Sequence, residues 1–253
     1  MRFHVLTLFP QSFPGPLADS MVGMACHRGL ISIEVTDIRS HTHDSHGTAD
    51  DYQFGGGPGM VMKPEPIFEA VEAVLADLDL SERTGAGVVL LSPQGQVFNQ
   101  KMAEDLANSS SLVLICGHYA GVDERVRQHL VTQEVSIGDF VLTGGELAAM
   151  VMIDTISRLV PGVVGSMDNV TQDSISSGLL QHPLYTRPAQ FRDMAAPEIL
   201  LSGHHAEIEK WRRHESLRRT LERRPGLLET AQLSPEDIEY LESLGYGRPK
   251  AQS

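Results

Sequence analysis

Ser136-Ile137-Gly138-Asp139-Phe140-Val141-Leu142-Thr143-Gly144-Gly145-Glu146 places three glycines within eight residues, among apolar side chains. Glycine loses more conformational freedom on folding than any other residue, so such a cluster marks a tight turn or a close approach of backbone to something flat. Thr143-Gly144-Gly145-Glu146 reads as a capping box, a hydroxyl followed three residues later by an acid. From Glu146 to Val160 the chain is apolar on nearly every side, the pattern of a helix buried all round.

Working outward, Leu112-Val113-Leu114-Ile115-Cys116 is a continuous apolar run that stops at Gly117-His118-Tyr119-Ala120-Gly121. Val88-Val89-Leu90-Leu91 is a second such run and ends in Ser92-Pro93-Gln94-Gly95. Continuous apolar runs of this length are the mark of strands buried on both faces of a parallel sheet. Phe3 to Phe9 and Ile31 to Val35 alternate and add two more strands. Helical patterns fall between them, at Ser20–Gly29, Glu65–Asp79, Lys101–Ala107 and Asp123–Leu130. Alternating strand and helix predicts an α/β domain with a parallel sheet. Ligands bind such sheets beyond the carboxyl ends of the strands. The three turns therefore predict the floor of a site for one small, flat ligand.

Past Pro161-Gly162 the composition changes. Residues 163–178 are small and polar without periodicity, which predicts a linker between a domain at 1–162 and a small, all-helical domain at 179–253. Helices are expected from Ala206 to Leu221 and from Ile238 to Leu244, the second opened by the capping box Ser234-Pro235-Glu236-Asp237. The two cysteines, Cys26 and Cys116, are too few for a disulfide framework and lack metal-site spacing, which predicts a reducing, cytoplasmic home. Met1 to Val5 lacks a signal-peptide core, and no apolar run is long enough for a membrane span, so no membrane partner is expected. Net charge is −13. It is concentrated in residues 1–165, with 20 acids against 9 bases, whereas residues 166–253 carry 13 against 11. Seven bases lie between Lys210 and Arg224, a local patch that can hold phosphates on an acidic chain.

His41, His43 and His46 sit among acids in a polar loop, but their spacing matches no zinc pattern and no metal site is expected there. Gly55-Gly56-Gly57-Pro58-Gly59-Met60 is neither a dinucleotide fingerprint nor a P-loop. It reads as a surface loop or as one that folds over a ligand.

Leu91–Gly95, Cys116–Val126 and Ser136–Glu146, together with Gly55–Met60, Thr171-Gln172-Asp173-Ser174, Tyr185-Thr186-Arg187-Pro188 and Leu201–Ile208, closely resemble the bacterial tRNA (guanine-N1)-methyltransferase family of the SPOUT superfamily. The resemblance implies a SPOUT fold with a deep trefoil knot, a homodimer, and S-adenosyl-L-methionine held in the knot loops. It implies methylation of N1 of guanosine 37 in tRNA where guanosine 36 precedes it. It assigns cofactor binding to Pro93, Gly117, Tyr119, Ile137, Gly138, Asp139, Phe140, Val141, Leu142, Gly144 and Gly145. It makes Asp173 the general base and Arg158 the cation that stabilises charge on the guanine O6. Arg187, Lys210, Arg212, Arg213, Arg218 and Arg219 are candidates for RNA contacts, and Trp211 is read as a packing residue. The family is associated with Mg²⁺, yet the sequence offers no dedicated carboxylate cage for it. Ala120 stands where the family usually has a glutamate facing the methionine amino group, His118 where arginine is common, and Ala148 where proline is usual. The alternatives are an RNA-binding relative without catalysis and a ribose 2′-O-methyltransferase of the same superfamily.

Overall fold

The computed structural model describes residues 1–165 and 173–247. The chain divides into two compact units, Met1–Ser166 and Met167–Ser253. Of the 163–178 segment, residues 166–172 lie outside the described residues. Val163 is buried in the core of the first unit.

In chain order the first unit contains β1 (Arg2–Thr7), α1 (Pro14–Ala18), α2 (Ser20–His27) and β2 (Ser32–Asp37). Then come β3 (Asp50–Tyr52), β4 (Met60–Met62), α3 (Pro64–Asp77) and α4 (Leu80–Gly85). β5 (Gly87–Val97), α5 (Gln100–Leu106), β6 (Ser111–Cys116), α6 (Glu124–His129), β7 (Gln133–Ser136) and α7 (Glu146–Ser157) complete it. Five strands form one sheet in the order β2-β1-β6-β5-β7, and every pair is parallel.

Period-two alternation explains why the central strands read as unbroken apolar runs. Leu112, Leu114 and Cys116 of β6 enter one core with α2, α5 and α7. Val113 and Ile115 enter the other, with α3 and α6. Val89 and Leu91 of β5 divide from Val88 and Leu90 in the same way.

Three expectations change. β5 does not end at Leu91 but continues to Val97, with a register shift against β7 between Leu91 and Gln96 that takes up Ser92-Pro93-Gln94-Gly95 as a bulge. α7 is not buried all round, because Leu147 is 59% exposed and Val151 44%. The capping box at Thr143 does not form. Gly145 is the N-cap, no side chain caps the helix, and Glu146 is its first residue.

The second unit corrects the all-helical expectation. It contains a two-stranded antiparallel hairpin, β8 (Gln190–Phe191) with β9 (Met194–Ala195), before α8 (His205–Arg223) and α9 (Pro235–Ser243). Two residues per strand leave too short a pattern for alternation to register. Leu179, Leu217, Leu228 and Leu241 form the core of this unit. The Ser234 capping box forms as expected, with Ser234 Oγ accepting from Asp237 N and the Asp237 carboxylate accepting from Ser234 N.

Candidate active site

The bulge within β5 and the turns after β6 and β7 meet at one end of the sheet. Gly145 N donates to Gly117 O at 2.8 Å, and His118 bridges Gly144 in an antiparallel pair. The glycine at 145 is there for close approach. A Cβ at that position would lie 2.8 Å from Cys116 Cα and 3.0 Å from Leu91 Cβ. Ser136 ends β7 by donating its hydroxyl to Gly138 O at 3.0 Å and accepting from Gly138 N at 3.2 Å, which turns the chain back over the sheet.

Between these turns lies a cavity of about 260 Å³. Pro93, Gly117, Tyr119, Ile137, Phe140, Val141, Leu142, Gly144 and Gly145 line it, so most of the expected cofactor residues are brought together. Gly138 and Asp139 are not among its walls. The walls are apolar at Leu91, Pro93, Ile137, Val141 and Leu142 and polar at Gln94, Glu124, Arg127, Glu134 and Thr143. One side is closed by β4. Ala120 N donates to Met60 O at 2.9 Å, Met62 N to Gly121 O at 2.9 Å, and Asp123 N to Met62 O at 3.0 Å. The glycine run Gly55–Gly59 is thus the turn region of a β3–β4 hairpin whose inner strand is hydrogen-bonded to the cavity wall. Ala120 lines the cavity, and a Cβ on Gly59 would stand 3.3 Å from its methyl group.

Two features escaped the sequence. Glu146 is buried at the start of α7 and accepts from Thr7 Oγ1 of β1 at 2.7 Å. That hydroxyl also accepts from Phe9 N at 2.9 Å, so it ties the end of β1 to the start of α7. Burial, reinforced by the Glu146 carboxylate, pushes the Cys116 thiol well above its usual pKa. The second feature is His118, a cavity wall residue packed between Phe9 and Tyr119 with ring centroids 4.9 and 5.0 Å away. Thr7, the partner of Glu146, and Phe9, one of the two rings against His118, lie more than a hundred residues upstream, so local pattern could not show these contacts.

Arg158 does not line the cavity, and the other candidates belong to the second unit. Arg158 is the C-cap of α7, and Asp173 is half-buried in the second unit, just before a turn in which Gly178 N donates to Ile175 O. Arg187 is exposed ahead of β8. On α8, Arg212 pairs with Glu209 at 2.6 Å, Arg213 with Asp237 at 2.7 Å, and Arg218 with both Glu215 and Glu222 at 2.6 and 2.7 Å. Lys210 and Arg219 make no ion pair among the described residues. Trp211 is half-buried and meets His182 edge-on at 6.3 Å, in keeping with a packing role.

The family model described as tRNA (Guanine-1)-methyltransferase TrmD matches residues 1–230. The chain belongs to this methyltransferase family. It is 55% identical over 244 residues to the tRNA (guanine-N(1)-)-methyltransferase of Dehalococcoides mccartyi, covering 96% of this chain and 97% of that protein. It is 52% identical to the enzyme of that name from Moorella thermoacetica, covering 96% of each. With the one from Bacillus cereus it shares 49% identity over 98% of this chain and the whole of the other. The span matched by the methyltransferase model takes in the cavity, Arg158, Asp173 and α8. Among the described residues no helix is long and apolar enough to cross a membrane, and no cluster of three His, Cys, Asp or Glu side chains is arranged to hold a metal ion.

Proposed function

We propose that this chain methylates N1 of guanosine 37 in tRNA, next to the anticodon, where guanosine 36 precedes it, with S-adenosylmethionine as donor. The observation that carries the reading is the meeting of the β5 bulge with the turns after β6 and β7 around one cavity in a chain of this family.

The form of the cavity supports this reading. At about 260 Å³ it is close to the lower bound of ~300 Å³ for small-molecule sites. Gly145 lets the turns after β6 and β7 close on each other and so shape the cavity, and Leu91, Ile137 and Leu142 offer a flat adenine apolar faces. When bound, S-adenosylmethionine supplies an electrophilic methyl group on its sulfonium. What this chain adds is alignment, a term that can supply ~7–11 kcal/mol, and control of one proton. Guanine N1 is protonated and has no free lone pair. The Asp173 carboxylate accepts that proton as general base. Negative charge then grows on O6, where the Arg158 guanidinium, held at the end of α7, stabilises it. Residues 1–162 form the methyltransferase domain, 163–178 a linker that carries Asp173, and 179–253 the tRNA-binding domain. The threading of the three turns is a trefoil knot, and two chains form the working homodimer in the cytoplasm. Any Mg²⁺ acts with the RNA rather than in a protein cage.

Transfer of a labelled methyl group to two transcripts tests this, one with guanosine at position 37 and one with adenosine. Label is expected only in the first, and nucleoside analysis should place it on the base. Equal label in both transcripts, or label on the ribose, would overturn the assignment.

A further inference from the structure

In the second unit, much of the positive charge that the sequence concentrates on α8 is already committed. Arg212, Arg213 and Arg218 are held by carboxylates of their own unit. The β8–β9 hairpin is different. Phe191 stands directly across from Met194, and both are exposed, at 55% and 61%. Arg192 opens the two-residue turn between them at φ 54°, a conformation that glycine or asparagine adopts far more readily. Its guanidinium lies over the Phe191 ring, 5.2 Å from the centroid. Among the described residues no carboxylate pairs with Arg192, or with the exposed Arg187 a few residues earlier. The segment from Arg187 to Ala195 thus carries two unneutralised cations against the single acid Asp193.

We propose that this hairpin is a contact for unstacked RNA, with one base lying against the Phe191–Met194 face and the Arg192 guanidinium meeting the adjoining phosphate. The inference rests on the reading of tRNA as substrate and names, within the domain assigned to tRNA, a base-contacting surface beyond the basic residues already singled out. A polyanion with exposed base faces complements an apolar platform edged by free guanidinium groups. Stacking on an aromatic ring is indifferent to sequence, because every base has a π face. Guanidinium is weakly hydrated and stacks on rings. Holding it over Phe191 before binding reduces the ordering that binding requires.

The test uses the full chain, an unmodified tRNA transcript, and the variants Phe191→Leu and Arg192→Gly. Phe191→Leu keeps an apolar side chain and removes the ring, and should weaken tRNA binding about fivefold or more. Arg192→Gly suits the turn better than arginine, so thermal stability should not fall. Its plot of log affinity against log salt should be shallower by about 0.7, the share of one phosphate on single-stranded nucleic acid. Cofactor affinity, measured separately, should match wild type in both. The hairpin proposal is overturned if wild type binds and methylates the transcript and both variants bind it equally well with unchanged salt slope. It is also overturned if the variants alter the oligomeric state instead, which would make the hairpin a contact between copies of the chain. A wild-type chain that neither binds nor methylates the transcript overturns the tRNA reading, and this inference with it.

Discussion

Asp173 carries the proposed chemistry, and its chemistry is separable from its shape. Asparagine occupies the same volume and keeps hydrogen-bonding capacity but cannot take a proton from guanine N1. Asp173→Asn should therefore lower single-turnover methylation by about a hundredfold or more, while tRNA and cofactor affinities stay near wild type. Turnover within a fewfold of wild type would remove the residue from the mechanism. A second residue-scale effect concerns His4, buried in β1 with Nδ1 3.4 Å from Glu34. Burial lowers its pKa; Glu34, Glu82 and Asp77 pull it back up, while Arg2 adds to the lowering. A histidine with a folded pKa below its unfolded value binds its proton more readily when unfolded. The stability it contributes is present above the unfolded value of about 6.5 and is lost as pH falls through that value toward the folded one. In urea titrations the stability difference between wild type and His4→Gln should shift against wild type on going from pH 7.5 to 5.5. A difference that does not change with pH would refute the linkage.

At the scale of elements, the site depends on turns packed backbone to backbone. In Gly145→Ala the new methyl would press on Cys116 Cα at 2.8 Å and Gly117 N at 3.1 Å, where no flexible side chain can yield. Overpacking of this kind costs about 1–3 kcal/mol, and here it pries the β6 turn from the start of α7. Cofactor affinity should fall steeply in calorimetry along with a lower unfolding midpoint. Wild-type binding would mean that the turns have slack. The same geometry explains what the sequence made legible. β6 and the first half of β5 were readable because burial on both faces leaves only apolar residues. β7 was not, because Gln133-Glu134-Val135-Ser136 is a short edge strand bonded on one side, with only Val135 and Ser136 buried. The second half of β5 was hidden because Pro93 and Gly95 signal a turn. Only the packing shows Gly95 against the backbone of Glu134 and Val135, where a side chain has no room. Most cavity residues were legible because glycine clusters at strand ends announce themselves. The Thr7–Glu146 hydrogen bond was not, since it joins residues 139 apart and local pattern favoured a capping box instead.

At the scale of the whole molecule, the open question is what covers α7. Leu147 and Val151 are one helical turn apart and exposed, on a helix whose other faces fill the core. Met24, on the neighbouring α2, is 57% exposed. Apolar side chains grouped on adjacent helices mark an interaction face, and a second copy of the chain is the partner implied by the proposed homodimer. In a two-fold interface each side chain enters twice, once from each chain. The pair Leu147→Glu and Val151→Glu would therefore bring four carboxylates into the contact, each losing water on association. Because both side chains already reach solvent in the single chain, the fold should survive. Sedimentation equilibrium at micromolar concentration should show wild type as a dimer and the double variant as a monomer with an unchanged far-ultraviolet spectrum. A wild-type monomer, or a double variant that remains dimeric, would mean that this face of α7 is not where the copies meet.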